Sequence, residues 1–249
     1  MFSSLYLKLK LNKKRGCSNT PTLESSKPPK KPNNLIESST DFHVKTTEFG
    51  KYVGELKNDK MEGNGTFYWT NGDRYEGEFK KDKREGKGKY FYKNGNRYEG
   101  DFKDNQFNGK GIFYWNNGDK YEGHYKNNIM EGKGIYYYLN GEKYDGDWKN
   151  DIREGEGTFY WNNGNKYVGQ YKNDVREGKG ILYYKNGNRY EGQFKGGMAD
   201  GEGKLFFNNG DRYEGKFEND KLHGKGIFFY KDGKKEMHEY NEDILVSRK

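Results

Sequence analysis

Residues that could do chemistry are few in this chain, and they lie far apart. The 249 residues include four histidines and one cysteine, at His43, His124, His223, His238 and Cys17. Residues 52–235 contain no serine, cysteine or proline. A nucleophile needs a base within hydrogen-bond reach, and a metal needs several ligands that converge on one point. The sequence therefore predicts no catalytic residue, no metal site and no cofactor.

The many carboxylates and the glycine-rich motifs do not change this prediction. The 38 Asp and Glu residues recur at fixed spacing beside 46 Lys and Arg residues, a pattern typical of a solvated charged face. Gly-x-Gly motifs such as residues 109–111 could suggest a phosphate-binding loop, but no helix is predicted to follow them. We predict that the chain is not an enzyme.

A fixed period of 23 residues organises most of the chain. A tyrosine begins each of eight copies, which follow one another without insertion or deletion, at Tyr52, Tyr75, Tyr98, Tyr121, Tyr144, Tyr167, Tyr190 and Tyr213. Such a period is the signature of an array of identical units, each of which contacts mainly its neighbours. Arrays of this kind usually serve as surfaces and scaffolds.

Composition limits the core and the partners. Only 30% of the residues are hydrophobic but 17% are aromatic, so Tyr and Phe supply most of the apolar area that can be buried. Residues 1–51 hold ten Lys and Arg against four acids, whereas residues 52–249 hold 36 against 34. A nearly neutral array is not expected to bind nucleic acid. No apolar run approaches the roughly 18 residues that a membrane span needs.

The same composition divides the chain into three parts. All four prolines lie before residue 41, in a basic segment with a Pro-Pro-Lys-Lys-Pro motif at residues 28–32. We predict a disordered basic tail over residues 1–46, the repeat array over residues 47–235 and a C-terminal cap over residues 236–249. A plain linker and a proline-motif ligand are the two interpretations of residues 28–32.

Each repeat is predicted to form two β-strands. In the third repeat the glycines are Gly100, Gly109, Gly111 and Gly118, and the residues between them alternate with period two. Alternation predicts strands, Asn-Gly predicts a hairpin turn, and so much glycine excludes helices. The fold class is therefore all-β: an elongated, twisted antiparallel array of β-hairpins. Within each repeat we predict a solvated loop in which Asp82→Ser changes stability by less than about 0.5 kcal/mol.

Side-chain parity predicts the register of the hairpins. A three-residue loop with Gly118 in the left-handed conformation places Phe113 opposite Tyr121 and Gly111 opposite Gly123. A six-residue loop inside each repeat gives the same pairing of glycine with glycine. One face of the sheet then carries a glycine trough, in which aromatic rings fold over the glycines.

Alternation places a second aromatic row on the opposite face, where the rings are partly exposed. This row consists of Tyr68, Phe91, Tyr114, Tyr137, Tyr160, Tyr183, Phe206 and Phe229. An exposed aromatic ladder is typical of an interface, so the row is a candidate partner-binding stripe. The alternative is local packing of the rings against neighbouring Lys, Arg and Glu side chains. The glycine trough is a rival site, which could grip a helix or a peptide.

The repeated motif resembles the MORN repeat (membrane occupation and recognition nexus). The resemblance rests on Tyr-Glu-Gly-Glu-Phe-Lys at residues 75–80, Gly-Lys-Gly at 86–88 and Asn-Gly-Asn-Arg-Tyr-Glu-Gly at 94–100, and it covers residues 52–235. Only the last turn departs, with Asp232-Gly233 in place of Asn-Gly. The resemblance implies an elongated antiparallel sheet of stacked hairpins.

The resemblance also implies scaffolding. MORN arrays occur in radial spoke heads of cilia, in junctophilins at membrane contacts and at cytoskeletal rings beneath membranes. They also accompany some phosphatidylinositol phosphate kinases and lysine methyltransferases. With about 50 residues before the array and 14 after it, we expect no such catalytic domain in these 249 residues.

The N-terminal arm is basic and contains no acid before Glu24. Its candidate membrane-contact residues are Lys8, Lys10, Lys13, Lys14, Arg15 and Cys17. A membrane anchor, with anionic phospholipid on the basic residues and palmitate on the cysteine, is one interpretation. An organelle presequence and a plain disordered tail are the others.

Together these features predict a non-catalytic scaffold that organises cytoskeletal or axonemal protein partners. The alternative function is a peripheral membrane adaptor that binds phosphoinositides through the arm. We expect a cytoplasmic location, at the cytoskeleton, the cilium or the membrane periphery. Open strand edges would also permit a homodimer.

Overall fold

The structure is a computed structural model that describes residues 42–249. This range forms one open sheet of 19 antiparallel strands and contains no helix, which confirms the predicted all-β hairpin array. Each strand pairs with its neighbours in sequence. The strands are β1 (His43–Thr47), β2 (Gly50–Lys57), β3 (Lys60–Trp69), β4 (Arg74–Lys80), β5 (Lys83–Phe91), β6 (Arg97–Lys103), β7 (Gln106–Tyr114), β8 (Lys120–Lys126), β9 (Ile129–Tyr137), β10 (Lys143–Lys149), β11 (Ile152–Tyr160), β12 (Lys166–Lys172), β13 (Val175–Tyr183), β14 (Arg189–Lys195), β15 (Met198–Phe206), β16 (Arg212–Glu218), β17 (Lys221–Phe229), β18 (Lys235–Asn241) and β19 (Ile244–Arg248).

The turn between repeats is the predicted three-residue loop. Gly118 has a φ of 95°, and its amide donates to the carbonyl oxygen of Trp115 at 3.0 Å. The amide of Trp115 in turn donates to the carbonyl oxygen of Asp119 at 3.0 Å. Phe113 lies opposite Tyr121, so the predicted register is confirmed.

The turn inside each repeat is shorter than predicted. β6 ends at Lys103 and β7 begins at Gln106, so two residues, Asp104 and Asn105, make the turn in place of six. Both are left-handed, with φ of 49° and 69°, which is the conformation of a type I′ hairpin. The remaining residues are absorbed by a bulge between Gly100 and Phe102. Because the bulge restores the parity, Gly100 still pairs with Gly111 as predicted.

Asp82 is exposed in a turn, as predicted, and its side chain also makes a hydrogen bond to the preceding repeat. Its Oδ1 accepts a hydrogen bond from the amide of Met61 in the preceding repeat at 2.8 Å. Its own amide donates to the carbonyl oxygen of Met61 at 3.1 Å, and its φ is 66°. The corresponding side chain of Asn105 accepts from the amide of Arg84, also at 2.8 Å. This position therefore ties each repeat to the one before it.

We expect Asp82→Ser to lower the free energy of unfolding by about 1 kcal/mol, because serine is too short to keep the bond to Met61 and adopts the left-handed conformation less readily. Urea denaturation followed by circular dichroism measures the change. Lys80→Ser, two residues away at an exposed position, is the control and should stay within about 0.5 kcal/mol. Equal midpoints for the two variants would contradict the structural role of Asp82.

The core lies on one side of the sheet, where tyrosine rings cover the glycines. We call this side the core face. All eight repeat-initial tyrosines are at most 1% exposed. A β-carbon placed on Gly111 would lie 2.5 Å from two ring carbons of Tyr98, so the ring fills the space that a side chain would need. The glycine row covered by rings is thus present, but the rings belong to the chain itself and leave no open trough for a partner.

A continuous ladder of edge-to-face rings connects the repeats on the core face. Phe102 lies between the tyrosines of two repeats, with ring centroids 4.8 Å from Tyr75 and 5.2 Å from Tyr98. The same arrangement recurs from Tyr52 to Tyr240, with interplanar angles of 72° to 89°. Edge-to-face pairs contribute about 0.5–1.5 kcal/mol each beyond their buried area. The ladder therefore couples every repeat to the next.

Residues 236–249 extend the sheet with β18 and β19. His238 occupies the place of a glycine, opposite Gly226, and its ring stacks on Phe228 at 5.1 Å. Glu236 stands where a tyrosine begins the other units, and hydrogen bonds from Lys234, Tyr230 and His238 lower its pKa to about 2. The capping role of this segment, like the domain boundaries, stays a prediction.

Candidate protein-binding face

The side of the sheet opposite the tyrosine ladder, here called the open face, carries three rows of side chains. In β6 and β7 these rows consist of Arg97 with Tyr114, Glu99 with Ile112, and Asp101 with Lys110. We call them the ring row, the middle row and the outer row. Because successive residues of a strand point to opposite sides, every repeat adds the same three pairs.

The ring row contains the eight rings predicted as a binding stripe. From Phe91 onward each ring is covered by the cation on the adjacent strand: the Arg97 guanidinium lies 4.2 Å from the Tyr114 centroid, and the contact recurs in seven repeats at 4.1–4.3 Å. The rings keep an accessible edge, and Tyr68 and Tyr160 are 46% and 38% exposed. The rings of the ring row therefore pack against neighbouring cations and also keep an exposed edge. The assignment of the row as a partner-binding stripe stays a prediction.

Carboxylates of the middle row pair with the cations of the ring row. Arg97 Nε lies 2.8 Å from Glu99 Oε1, and Lys120 Nζ lies 3.3 Å from Glu122 Oε2. The paired groups are about one-third to one-half exposed, so each pair contributes less than about 1 kcal/mol to stability. Their main effect is to neutralise the ring row locally.

The outer row fixes the bulge described above. One carboxylate oxygen of Asp101 accepts from the amide of Lys110 at 2.9 Å, and the other lies 2.5 Å from Lys87 Nζ of the preceding repeat. The middle and outer rows line a groove on the open face. One stretch of about 550 Å³ runs over repeats two to five, and one of about 1000 Å³ runs over repeats five to eight. Concave space for a partner therefore lies on the open face, on the side of the sheet opposite the tyrosine rings, and the paired glycines are among the residues that line it.

Three arginines on the core face were not singled out from the sequence. Arg84, Arg153 and Arg176 occupy a repeat position that other copies fill with Met, Phe, Ala or Leu. The Arg84 guanidinium lies 5.0 Å from the Tyr90 ring centroid, and Nη2 donates to the carbonyl oxygen of Asn105 at 2.7 Å. Burial lowers the pKa of this guanidinium. A cation at a position that is otherwise apolar was the available sequence signal.

Burial also affects the repeat-initial tyrosines. Desolvation raises the pKa of the Tyr52 and Tyr213 hydroxyls to about 12. It raises the pKa of the other six repeat-initial tyrosines as well. The hydroxyl of Tyr98 donates to the carbonyl oxygen of Asp101 at 3.0 Å, so it stays protonated in the folded state.

The histidines do not form a site with one another. Nδ1 of His124 lies 3.2 Å from the carbonyl oxygen of Lys133, and His238 contacts Glu236 and Tyr240 in β18. Within residues 42–249, no three His, Cys, Asp or Glu residues are placed to hold a metal ion. Over the same residues, no helix is long and apolar enough to cross a bilayer. The candidate membrane-contact arm lies outside the described residues, and its role stays a prediction.

A single-layer sheet of identical hairpins, with rings over paired glycines, defines a repeat protein of the MORN class. The MORN repeat family model matches all eight units, over residues 52–74, 75–97, 98–120, 121–143, 144–166, 167–189, 190–212 and 213–235. The chain belongs to this family, and the predicted resemblance is confirmed.

Two solved domains are similar to this chain at low sequence identity. The TCP10 domain of CPAP from Danio rerio is 11% identical, with a TM-score of 0.49, and the match covers 83% of this chain and 99% of that domain. The TCP domain of SAS-4 from Drosophila melanogaster, solved with a proline-rich motif of Ana2, is 13% identical, with a TM-score of 0.39 and coverage of 85% and 98%. No curated protein matches the chain.

Proposed function

We propose that this chain is a non-catalytic scaffold that binds protein partners along its open face and holds them in line at a cytoskeletal, ciliary or membrane-associated assembly. The observation that carries the proposal is the ring row. It presents eight aromatic rings at one position of consecutive repeats, seven of them beside a cation at 4.1–4.3 Å. Aromatic and arginine side chains are the residues most often found at binding hot spots.

Rigidity supports the same proposal. The ring ladder joins each repeat to the next at 4.7–5.7 Å between centroids, and turn residues such as Asp82 add hydrogen bonds between repeats. A scaffold needs fixed distances between its binding positions, and a surface that is already ordered loses little entropy when a partner binds. The pairing of each strand with the next along the whole sheet supports both fixed distances and an ordered surface.

The test compares partners in the native cell by proximity labelling. We expect a variant with Phe91→Ser, Tyr114→Ser and Tyr137→Ser to lose labelled cytoskeletal or axonemal proteins that the wild-type chain retains. The matched control replaces Lys80, Lys103 and Lys126, exposed residues in the same three repeats, with serine. Identical labelling by the ring variant and the wild-type chain, or labelling without any cytoskeletal protein, would refute the proposal.

A further inference from the structure

The sixth repeat interrupts the charge pairing of the open face. On β4, β6, β14 and β16, where repeats two, three, seven and eight begin, the ring-row arginine just before the repeat pairs with the glutamate two residues later, as in Arg189 and Glu191 at 2.9 Å. In the sixth repeat the corresponding residues are Lys166 and Val168. A neutral side chain thus replaces the carboxylate that elsewhere neutralises the cation.

Two adjacent cations of the ring row, Lys166 and Lys143, make no ion pair among residues 42–249, although Asp145 lies two residues after Lys143. The ammonium of Lys166 lies 4.3 Å from the Tyr183 ring centroid, and that of Lys143 lies 4.3 Å from the Tyr160 centroid. Neither makes an ion pair with a residue of the described chain. They lie on β10 and β12, two strands apart, so roughly 10 Å separates their positions. One partner segment can span both.

Apolar surface lies directly beside these cations. Along the middle row, the strands between Asp145 and Glu191 present Thr158, Val168 and Ile181, so no acid interrupts this stretch. Val168 is 36% exposed. Val168 and Ile181 also line the end of the larger groove, so the apolar stretch opens into concave space.

We propose that the open face of the fifth and sixth repeats docks an acidic, aliphatic segment of a partner protein. Carboxylates of the segment contact Lys143 and Lys166, and an aliphatic side chain packs on Val168 and Ile181 beside the exposed edge of Tyr160. Charge complementarity selects this partner, because neither ammonium group makes an ion pair among residues 42–249 and Lys166 has Val168 where other repeats have a carboxylate. The inference rests on the proposed scaffold function and assigns a partner chemistry to one position along it.

The test measures binding of a fluorescein-labelled peptide of alternating Glu and Leu to the full chain by fluorescence anisotropy. Val168→Glu restores the carboxylate found in most other repeats, so it neutralises Lys166 and repels the peptide without disturbing the fold. We expect about a tenfold loss of affinity. Val175→Glu is the matched control: it lies in the same repeat, is 39% exposed and pairs with Lys172 near the turn. This control should bind within twofold of the wild-type chain.

A gain-of-binding variant gives an independent readout. Glu122→Val removes the carboxylate that pairs with Lys120 at 3.3 Å, beside Ile112 and Ile135 on the neighbouring strands. The fourth repeat then has the arrangement of the sixth, and we expect a second peptide to bind. A peptide of alternating Glu and Ser should bind more weakly to every variant, because it lacks the aliphatic contact.

Absence of saturable binding to the wild-type chain, or equal affinity of the Val168→Glu and Val175→Glu variants, would overturn the inference. Equal binding of the Glu-Ser peptide would show mere attraction of anions and would also overturn it. These failures differ from failure of the scaffold function, which the labelling experiment with ring variants of repeats two to four tests separately. Those variants leave Lys143, Lys166 and Val168 unchanged.

Discussion

Substitution of Gly111 by valine should lower the free energy of unfolding by about 3–4 kcal/mol. A β-carbon at this position would lie 2.5 Å from Cε2 and Cζ of Tyr98, and that ring is fully buried. The φ of Gly111 lies outside the left-handed region, so the cost comes from the steric conflict alone. Overpacking of a rigid core usually costs 1–3 kcal/mol, and here the ring has no free space into which to move. The shift of the urea midpoint, followed by circular dichroism, measures the effect.

Two further variants show whether the ring causes the effect. Lys110→Val puts the same side chain on the adjacent residue, which points to the open face, and should stay within about 0.5 kcal/mol. In the background Tyr98→Ala, the Gly111→Val substitution should cost at least 1 kcal/mol less than it does alone, because the conflicting ring is gone. Strictly additive costs would mean that Tyr98 does not occupy the space above Gly111.

Alkaline pH should unfold the array steeply. The pKa of a tyrosine hydroxyl is about 10 in an unfolded chain, and burial raises it to about 12 for Tyr52 and Tyr213. A raised pKa in the folded state means that the native chain holds the proton more tightly. The resulting stability is complete below pH 10 and declines as the pH rises from 10 to 12. Each tyrosine contributes at most about 1.4 kcal/mol per pH unit, so the decline is steep because many buried tyrosines contribute to it together.

The measurement follows phenolate absorbance at 295 nm and circular dichroism on one sample from pH 9 to pH 12. Loss of the sheet signal should accompany ionisation of the buried tyrosines. A variant with phenylalanine at positions 98, 121, 144 and 167 should lose stability with pH less steeply than the wild-type chain, because four tyrosines with a raised pKa no longer ionise. An unchanged slope in that variant would exclude the repeat-initial tyrosines as its cause.

The fold could be predicted from sequence because the loop between repeats and the loop inside each repeat both place the same side chains on the same face of the sheet. Gly118 fixes the loop between repeats, and only one register then places glycine opposite glycine in both hairpins. The two-residue turn at Asp104 and Asn105 was missed, because a bulge and a short turn give the same parity as a longer loop. Nothing in the spacing of the glycines separates those two solutions.

The candidate site was predictable in position but not in its environment. Alternation places Tyr114 on the open face, yet its contact with the Arg97 guanidinium depends on side-chain conformations that a pattern does not specify. The hydrogen bond that Asp82 accepts from another repeat was not predicted for a similar reason, because an exposed acidic turn residue suggests solvation alone. Val168 stands where most other repeats have an acidic residue. The effect of this difference on the charge of the open face depends on which cation lies beside it.

The core face and the open face of the sheet differ in which side chains they can accept. On the core face, the ring above Gly111 leaves no space for a larger side chain. On the open face, Val168 and Glu122 occupy equivalent positions of the same backbone but differ in charge. Under the proposed scaffold function, the open face of one repeat can therefore change while the core face keeps the same packing. Insertion or removal of one whole repeat would also change the distance between two positions of the open face by a fixed amount, because all repeats have the same length.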